Sequence, residues 1–501
     1  DAEAGEIVEH TISARESKQR GFLKRTHTRD YVETEIHQNK AGTITGDTVV
    51  VAAGQGDINA TGMHIVSDHG TMLHTDKGDI NLKAGKNSYR SVEKHSKHKT
   101  GLMGSGGWGV FLGSRRQSGE TELNIKAPAP TLVGAIDGNI HIQAGGHYDG
   151  TGALVHAGRE GGPLTKEQWL QMSETERNRA GNIYFSAESG SLRAARGSQD
   201  HEMHSHYKQT GFTANLGGAV VNVAQTALQT MKTLSEGDNA RVRTMNTLNN
   251  TWANYKGIEA LSKALNATSE KPDSNLINIQ ISLGGQHSTV HHKAHEDTLL
   301  PSQMTGDSGV YVDIKGKGEG STLDVISSDL AGSAITRLNV EGKKTFAADS
   351  VKKTIESSQH SGGGGGGIAI MLGSNGGGLG VIANANIGKG KTNGNSTTYR
   401  LSHIGGLQGH TDIGDGKTEL NGAQILGHSL SGNTRDLKIL VPQETLDYQS
   451  RQFALGGHVL AGVGVSGGVD YQNTRVDAHH KSANLESGRR DAVLNVQNSD
   501  N

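Results

Sequence analysis

The chain has 501 residues, with 49 basic and 51 acidic side chains (net charge −2), 72 glycines, 6 prolines, no cysteine, and only 4% aromatic residues. Without cysteine there is no disulfide framework, thiol chemistry or thiolate zinc site, a composition that suits export in an unfolded state through a narrow pore. Balanced charge without a basic stripe argues against nucleic acid as a partner, and no apolar run approaches the roughly 20 residues of a membrane helix.

Hydrophobic residues make up 33% of the chain, low enough to suit disorder. They fall, however, in short alternating runs that a disordered chain lacks. No signal peptide opens the chain at Asp-Ala-Glu-Ala, and it stops at Asn501 without a cap, as expected of an excised piece. The first stretch, ESKQRGFLKRTHTRDYVETEIHQ, reads as a polar strand pair. From Gly46 to Gly85 the tetrapeptide Gly-Asp-Ile-Asn opens at Gly56 and again at Gly78, a step of 22 residues, and related heptads return at Gly138 (GNIHIQA) and Gly181 (GNIYFSA). A fixed internal period marks a solenoid. Between the bends Val49 and Val51, Ile58 and Ala60, and Ile80 and Leu82 share one side while mostly polar neighbours take the other, the period of half-buried strands. Three short strands and Gly/Asn/Asp bends fill one coil of a parallel β-helix, with Ile58 stacked near Ile80 and Asp57 near Asp79. A two-sheet sandwich array is the alternative fold.

After Gly85 a polar run leads to a Gly-rich apolar turnaround (GLMGSGGWGVFLG) and a polar return. The same order recurs around GFTANLGGAVVNV, GGGGGGIAIMLGSNGGGLGVIANANIG and LGGHVLAGVGVSGGVDYQNTRV, predicting four hairpins extruded from the coils. The 43 residues from Gly138 to Gly181 read as two coils, and the 60 from Gly78 to Gly138 as one coil plus a hairpin. From Val223 to Leu265 apolar residues recur at helical spacing (Val242, Met245, Leu248, Trp252, Tyr255, Ile258, Leu261), with Asn239 as an N-cap and Pro272 beyond the end, predicting two helices that lie as a lid on the coils. Coils then resume through Val310, Leu323 and Leu338 to VLNV around Leu494. The expected organisation is residues 1–222 as coils with hairpins, 223–272 as a helical insertion, and 273–501 as coils with Gly-rich hairpins.

Little of this carries chemistry. Two Walker-like fragments fail because Ala385 and Thr411 stand where the phosphate loop needs glycine, and no calcium-roll nonapeptide occurs. Asp57 and Asp79 on adjacent coils suggest a carboxylate pair. However, Asp after Gly at a bend ordinarily bonds its own turn, and Asn139 and Asn182 are expected in the same column. His204 and His206 share a strand face and suit one metal ion, but histidines on a polar arm are ordinarily solvated; no catalytic, cofactor or metal residue is assigned. The hairpin tips remain as candidate membrane or partner contacts: Trp108, Phe111, Leu112, Ile368, Ile370, Leu379, Val381, Val459, Val463 and Val465. Small apolar alternating strands of this kind resemble outer-membrane barrel strands. In the resting state each hairpin is expected to fold back along the coils and bury its apolar face, because exposed apolar edge strands aggregate.

The coils with G-D-I-x-φ-x-A-G and the polar arms leading to Gly-rich tips, over essentially the whole chain, resemble the second haemagglutinin-repeat region of filamentous-haemagglutinin-type exoproteins, including CdiA-type effectors of contact-dependent growth inhibition. That resemblance implies a right-handed parallel β-helix with extruded hairpins, secreted to the bacterial cell surface through a two-partner outer-membrane transporter. It further implies a non-catalytic role in passing a toxin across the target cell's outer membrane, or alternatively a fibre that adheres to surface receptors. Neither a cofactor, a small-molecule substrate nor nucleic acid is implied.

Overall fold

The computed structural model describes residues 1–21, 23–104, 108–217, 277–373, 376–461, 464–481, 484–485 and 491–494. These residues are all-β apart from two short helices and one 3₁₀ turn.

The alternation around Gly46–Gly85 sets the architecture. Val49 is buried and Val50 is 61% exposed, while Ile58, Ala60, Ile80 and Leu82 all point inward. Ile58 pairs with Ile80, and Ala60 with Leu82, in parallel. This register belongs to the first of three parallel ladders. It runs from Ala2–Glu3 through Ile58–Thr61, Ile80–Lys83, His147–Thr151, Ser189–Arg193, Thr322–Ile326, Lys343–Ala347 and Lys417–Asn421 to Asp436–Leu440. The bent strands Thr43–Ala53 and His64–Thr75 seed the other two. The second ladder continues from residues 64–67 through Thr131–Ala135, Ala153–Ala157, Gln303–Gly306, Asp329–Gly332, Ser402–Ile404, Ala423–Ile425 and Asn484–Leu485. The third continues from residues 70–75 through Asn139–Gln143, Asn182–Ala187, Gly309–Ile314, Ile335–Val340, His410–Asp412, Ser429–Gly432 and Asp491–Leu494. The chain visits the ladders in a fixed rotation, second, third, first, so every repeat stacks on the one before it. Inward side chains such as Leu73, Ile140, Val310, Leu338 and Phe346 form one continuous core.

At the bend of Asp57 and Asp79, side chains bond the next repeat. Asp57 Oδ1 accepts the Asp79 N–H at 2.8 Å, and Asp79 Oδ1 accepts the His147 N–H at 2.6 Å. A Cβ on Gly78 would stand 2.0 Å from the Gly56 carbonyl oxygen, so stacking requires glycine there. Asn139 and Asn182 do not extend this column. Asn139 pairs with Gly70 in the third ladder, and its Oδ1 accepts the Asn182 N–H at 3.0 Å. The 43-residue step between them is therefore one repeat rather than two. It is lengthened by α1 (Lys166–Gln171) and α2 (Glu174–Arg177), each opened by a capping box, Thr165 with Gln168 and Ser173 with Glu176.

Five hairpins leave the ladders. Their strands are Gly5–Gly21 and Lys24–Lys40, Gly85–Gly104 and Trp108–Ala129, Ala195–Gly217 and Ile277–Leu300, Asp349–Gly373 and Gly376–Arg400, and Gln443–Ala461 and Gly464–Lys481. Each departs at the corner between a first-ladder strand and the following second-ladder strand, and only in every other repeat. The spacing explains the alternation. Strands in a ladder lie about 4.8 Å apart, so two repeats advance about 9.6 Å, the width a two-stranded hairpin occupies. The hairpins consequently pair edge to edge into one ten-stranded antiparallel sheet. The expected folding back along the coils does not occur: neighbouring hairpins satisfy each other's edges, which removes the penalty that argued for it. The opening polar stretch is the first member of the sheet, making five hairpins instead of four.

A buried hydroxyl closes the return of three hairpins. Thr131, Ser302 and Ser402 are each at most 1% exposed. Their hydroxyls donate to first-ladder carbonyls, Thr131 to Lys83 at 2.5 Å, Ser302 to Arg193 at 2.7 Å and Ser402 to Ala347 at 2.6 Å. Each also accepts an N–H from the start of a second-ladder strand or the residue before it: Met63, Ala153 and Ser328 respectively.

The expected helical insertion at 223–272 lies outside the described residues. Its flanks are placed: Gly217 pairs with Asn278 at the end of the third hairpin. Strands from either side of it share ladders, as where Leu154 pairs with Gln303.

Candidate functional site

The hairpin sheet is the surface that sets this chain apart from a plain stack of strands. Most of its described side chains are exposed or half-buried on both faces, so no core holds it. Backbone ladders and cross-strand histidine–carboxylate contacts do. Glu33 binds His10 at 3.0 Å, Glu16 binds His27 at 2.8 Å, Glu6 binds His37 at 2.8 Å, and Asp200 binds His295 at 2.7 Å; His95 pairs with Asp30. Hydrogen bonds from Lys18 and His27 hold Glu16 at about 2. Bonds to Glu35 and Glu6 raise His37, and the bond to Asp200 raises His295. A shallow groove of about 650 Å³ crosses the arms, lined among others by Arg29, Asp30, Tyr31, His95 and Glu120.

Toward the tips the chemistry changes along one line. Gly101, Gly113, Gly211, Gly284 and Gly365 stand directly opposite one another across five strands. A Cβ on Gly113 or Gly284 would meet a neighbouring carbonyl at 2.3 or 2.4 Å, so the row cannot carry side chains without moving the backbone. In the next row outward Leu102, Leu112, Phe212 and Leu283 oppose one another in register. Opposed residues share a face, and these four are 43–53% exposed. On the other face Phe111 is fully buried and Met103 6% exposed. The Phe111 ring covers the bare backbone of Gly113 and Gly211, and the Arg115 guanidinium lies 5.4 Å from its centroid.

The predicted contact residues separate accordingly. Leu112 is exposed, whereas Phe111 is spent on covering glycine. By register Trp108 stands opposite Leu216, Ile368 opposite Val381, Ile370 opposite Leu379, and Val459 between Ala383 and Val465, all in the tip half of the sheet. Val463 lies outside the described residues. Leu102, Phe212 and Leu283 were missed. Each adjoins a glycine of the row, and that Gly–apolar pair was the available signal. His204 and His206, which share a strand face but were not assigned to a metal, turn to different partners: His206 Nδ1 to Thr289 Oγ1 at 3.2 Å, and His204 Nε2 to Glu202 at 3.0 Å.

Within the ladders the unusual groups do structural work. Asp57 and Asp79 are both engaged by backbone. Lys344, fully buried, donates from Nζ to the carbonyls of Ile413 at 2.8 Å and Asp415, and burial lowers it to about 8. No helix among the described residues is long and apolar enough to cross a membrane.

The Hemagglutinin repeat family model matches residues 23–162 and 283–455, spans that take in the second and fourth hairpins whole, parts of the other three, and most of the ladder strands. Deoxyribonuclease CdiA of Dickeya dadantii is 23% identical over 476 residues, covering 94% of this chain and 13% of the relative. Toxin CdiA of Yersinia pestis is 24% identical over 455 residues (88% and 13%), and tRNA nuclease CdiA of Escherichia coli strain NC101 is 25% identical over 490 (94% and 14%). The chain thus spans about one seventh of the length of these relatives. No solved structure matches it.

Proposed function

This chain belongs to the hemagglutinin-repeat family, and on that premise we propose that it is the non-catalytic repeat region of a secreted cell-surface exoprotein that helps carry a toxin across the outer membrane of a contacted cell. The three ladders support reading its stem as a right-handed parallel β-helix, the hand following the general preference of connections between parallel strands. The absence of cysteine is consistent with export through a two-partner outer-membrane transporter. The row of exposed apolar side chains beyond the glycine line carries the proposal. Leu102, Leu112, Phe212 and Leu283 form an apolar row in the tip half of the sheet. Such a row gains by leaving water for the acyl region of a membrane, roughly 25 cal/mol per Å² buried.

The test is a full-length effector whose tip from Gly362 to Gly388 is deleted, beside one with Leu112 and Leu283 changed to Glu. The expected outcome is unchanged attachment to target cells with killing reduced at least tenfold. Killing at the normal level by both variants would overturn the proposal. Attachment reduced in step with killing would replace delivery by surface adhesion.

A further inference from the structure

The third hairpin holds a group of side chains that neither the ladders nor the proposed delivery role requires. His204 and His291 are directly opposed across its two strands, and Glu202 lies two residues before His204 on the same face. The imidazoles stack face to face, centroids 4.1 Å apart and planes within 9°. Both Nε2 atoms point at the same oxygen, Glu202 Oε1, at 3.0 Å from His204 and 3.3 Å from His291. The three donor atoms lie within 4.8 Å of one another. In a tetrahedral zinc site with bonds near 2.0–2.1 Å, neighbouring donors are separated by about 3.3 Å. Two of the three separations already match, and for both ring nitrogens to face one ion the imidazoles must turn out of their parallel stack.

We propose that Glu202, His204 and His291 form a binding site for a divalent transition-metal ion of the zinc type, with a fourth position open to water. Two imidazoles and one carboxylate select zinc, cobalt, nickel or copper over calcium or magnesium, which demand more oxygen ligands. The backbone register brings the three residues together. β-sheet geometry fixes His204 against His291, and Glu202 shares their face by the two-residue period. The neighbouring charges are compatible. Glu120, opposite His204 on the preceding hairpin, is bound by Lys94 at 2.9 Å. Lys293, opposite Glu202, has Glu356 opposite it on the following strand. The ion would take the place of the two contacts now made to Glu202 Oε1, pinning the two strands together seven positions short of Gly211 and Gly284.

The test is calorimetric titration of the 501-residue chain with zinc chloride. One saturable site per chain is expected, with affinity lowered at least tenfold by each of Glu202→Gln, His204→Gln and His291→Gln and unchanged by His206→Gln. The three side chains are exposed or half-buried and none is in the core, so the variants should keep the parent melting temperature in metal-free buffer. Cobalt should give a visible absorption band in the parent and not in His204→Gln. Zinc should slow hydrogen exchange in residues 195–217 and 277–300 of the parent alone. Binding that survives the His204→Gln/His291→Gln double substitution, or no saturable binding at all, overturns the assignment.

Discussion

The ladders and the hairpin sheet are drawn alternately from one chain, yet they are held by opposite means. In the ladders parallel strands close round an apolar core, and buried side chains such as Thr131, Ser302 and Ser402 are bonded to the backbone of other ladder strands. In the hairpin sheet antiparallel strands of up to 25 residues stand with almost no core, and histidine–carboxylate pairs run across them. Parallel strands far apart in sequence stay together only where burial rewards them, whereas a hairpin pairs locally and its neighbours supply the remaining hydrogen bonds.

Substitutions should separate the two regions. Phe185→Ala removes a ring that is 1% exposed and packs 4.8 Å from Tyr148. It should cost about 4 kcal/mol in ladder stability by chemical denaturation, and an unchanged midpoint would break the claim of a continuous core. Ser302→Ala deletes a hydroxyl that bridges two carbonyls and an N–H at a hairpin's return. A loss of about 2 kcal/mol is expected, with hydrogen exchange accelerating first where the third hairpin meets the ladders.

The response to pH is a smaller effect, and its sign should differ between the regions. The raised values of His37 and His295 mean that their stabilisation of the hairpin sheet is complete below about 6.5 and fades as pH rises through the raised values. In the ladders burial lowers His64 and His141, so their contribution is complete above about 6.5 and fades as pH falls. Glu33 and Glu35, lowered by their histidine partners, protect the sheet until pH drops below about 4.5. Between pH 7.5 and 5.5 exchange protection, corrected for the intrinsic rate, should therefore rise in the arms and fall in the ladders. The same direction in both would erase the distinction. Smallest of all, Leu112→Ala at an exposed tip position should move stability by less than about 0.5 kcal/mol.

The stem was legible because its signal is local. Ile58 and Ile80 share a tetrapeptide, an alternation and a spacing, and pair as those features require. The column assigned to Asn139 and Asn182 was wrong because one bend motif serves two different ladders, and only three-dimensional stacking distinguishes them. The helices after Thr165 were written in two capping boxes that a search for strands passes over. The sheet itself was the largest omission. Polar arms were recognisable one at a time, but their mutual register depends on which repeats release a hairpin, a property of the stack as a whole. Among the tip residues Phe111 looked like a contact and proved to be cover for glycine, while its neighbour Leu112 on the opposite face is exposed.

The alternation of hairpin-bearing and plain repeats also constrains how such a chain can change length. Removing one repeat would bring two hairpins to adjacent levels, where four strands compete for the width of two, or leave a gap where none arrives. Removing two consecutive repeats together with their hairpin leaves every remaining partner in place. Duplication, deletion and exchange between relatives should therefore proceed in modules of two repeats and one hairpin, and a shuffled chain of odd count would carry its fault as an unpaired edge.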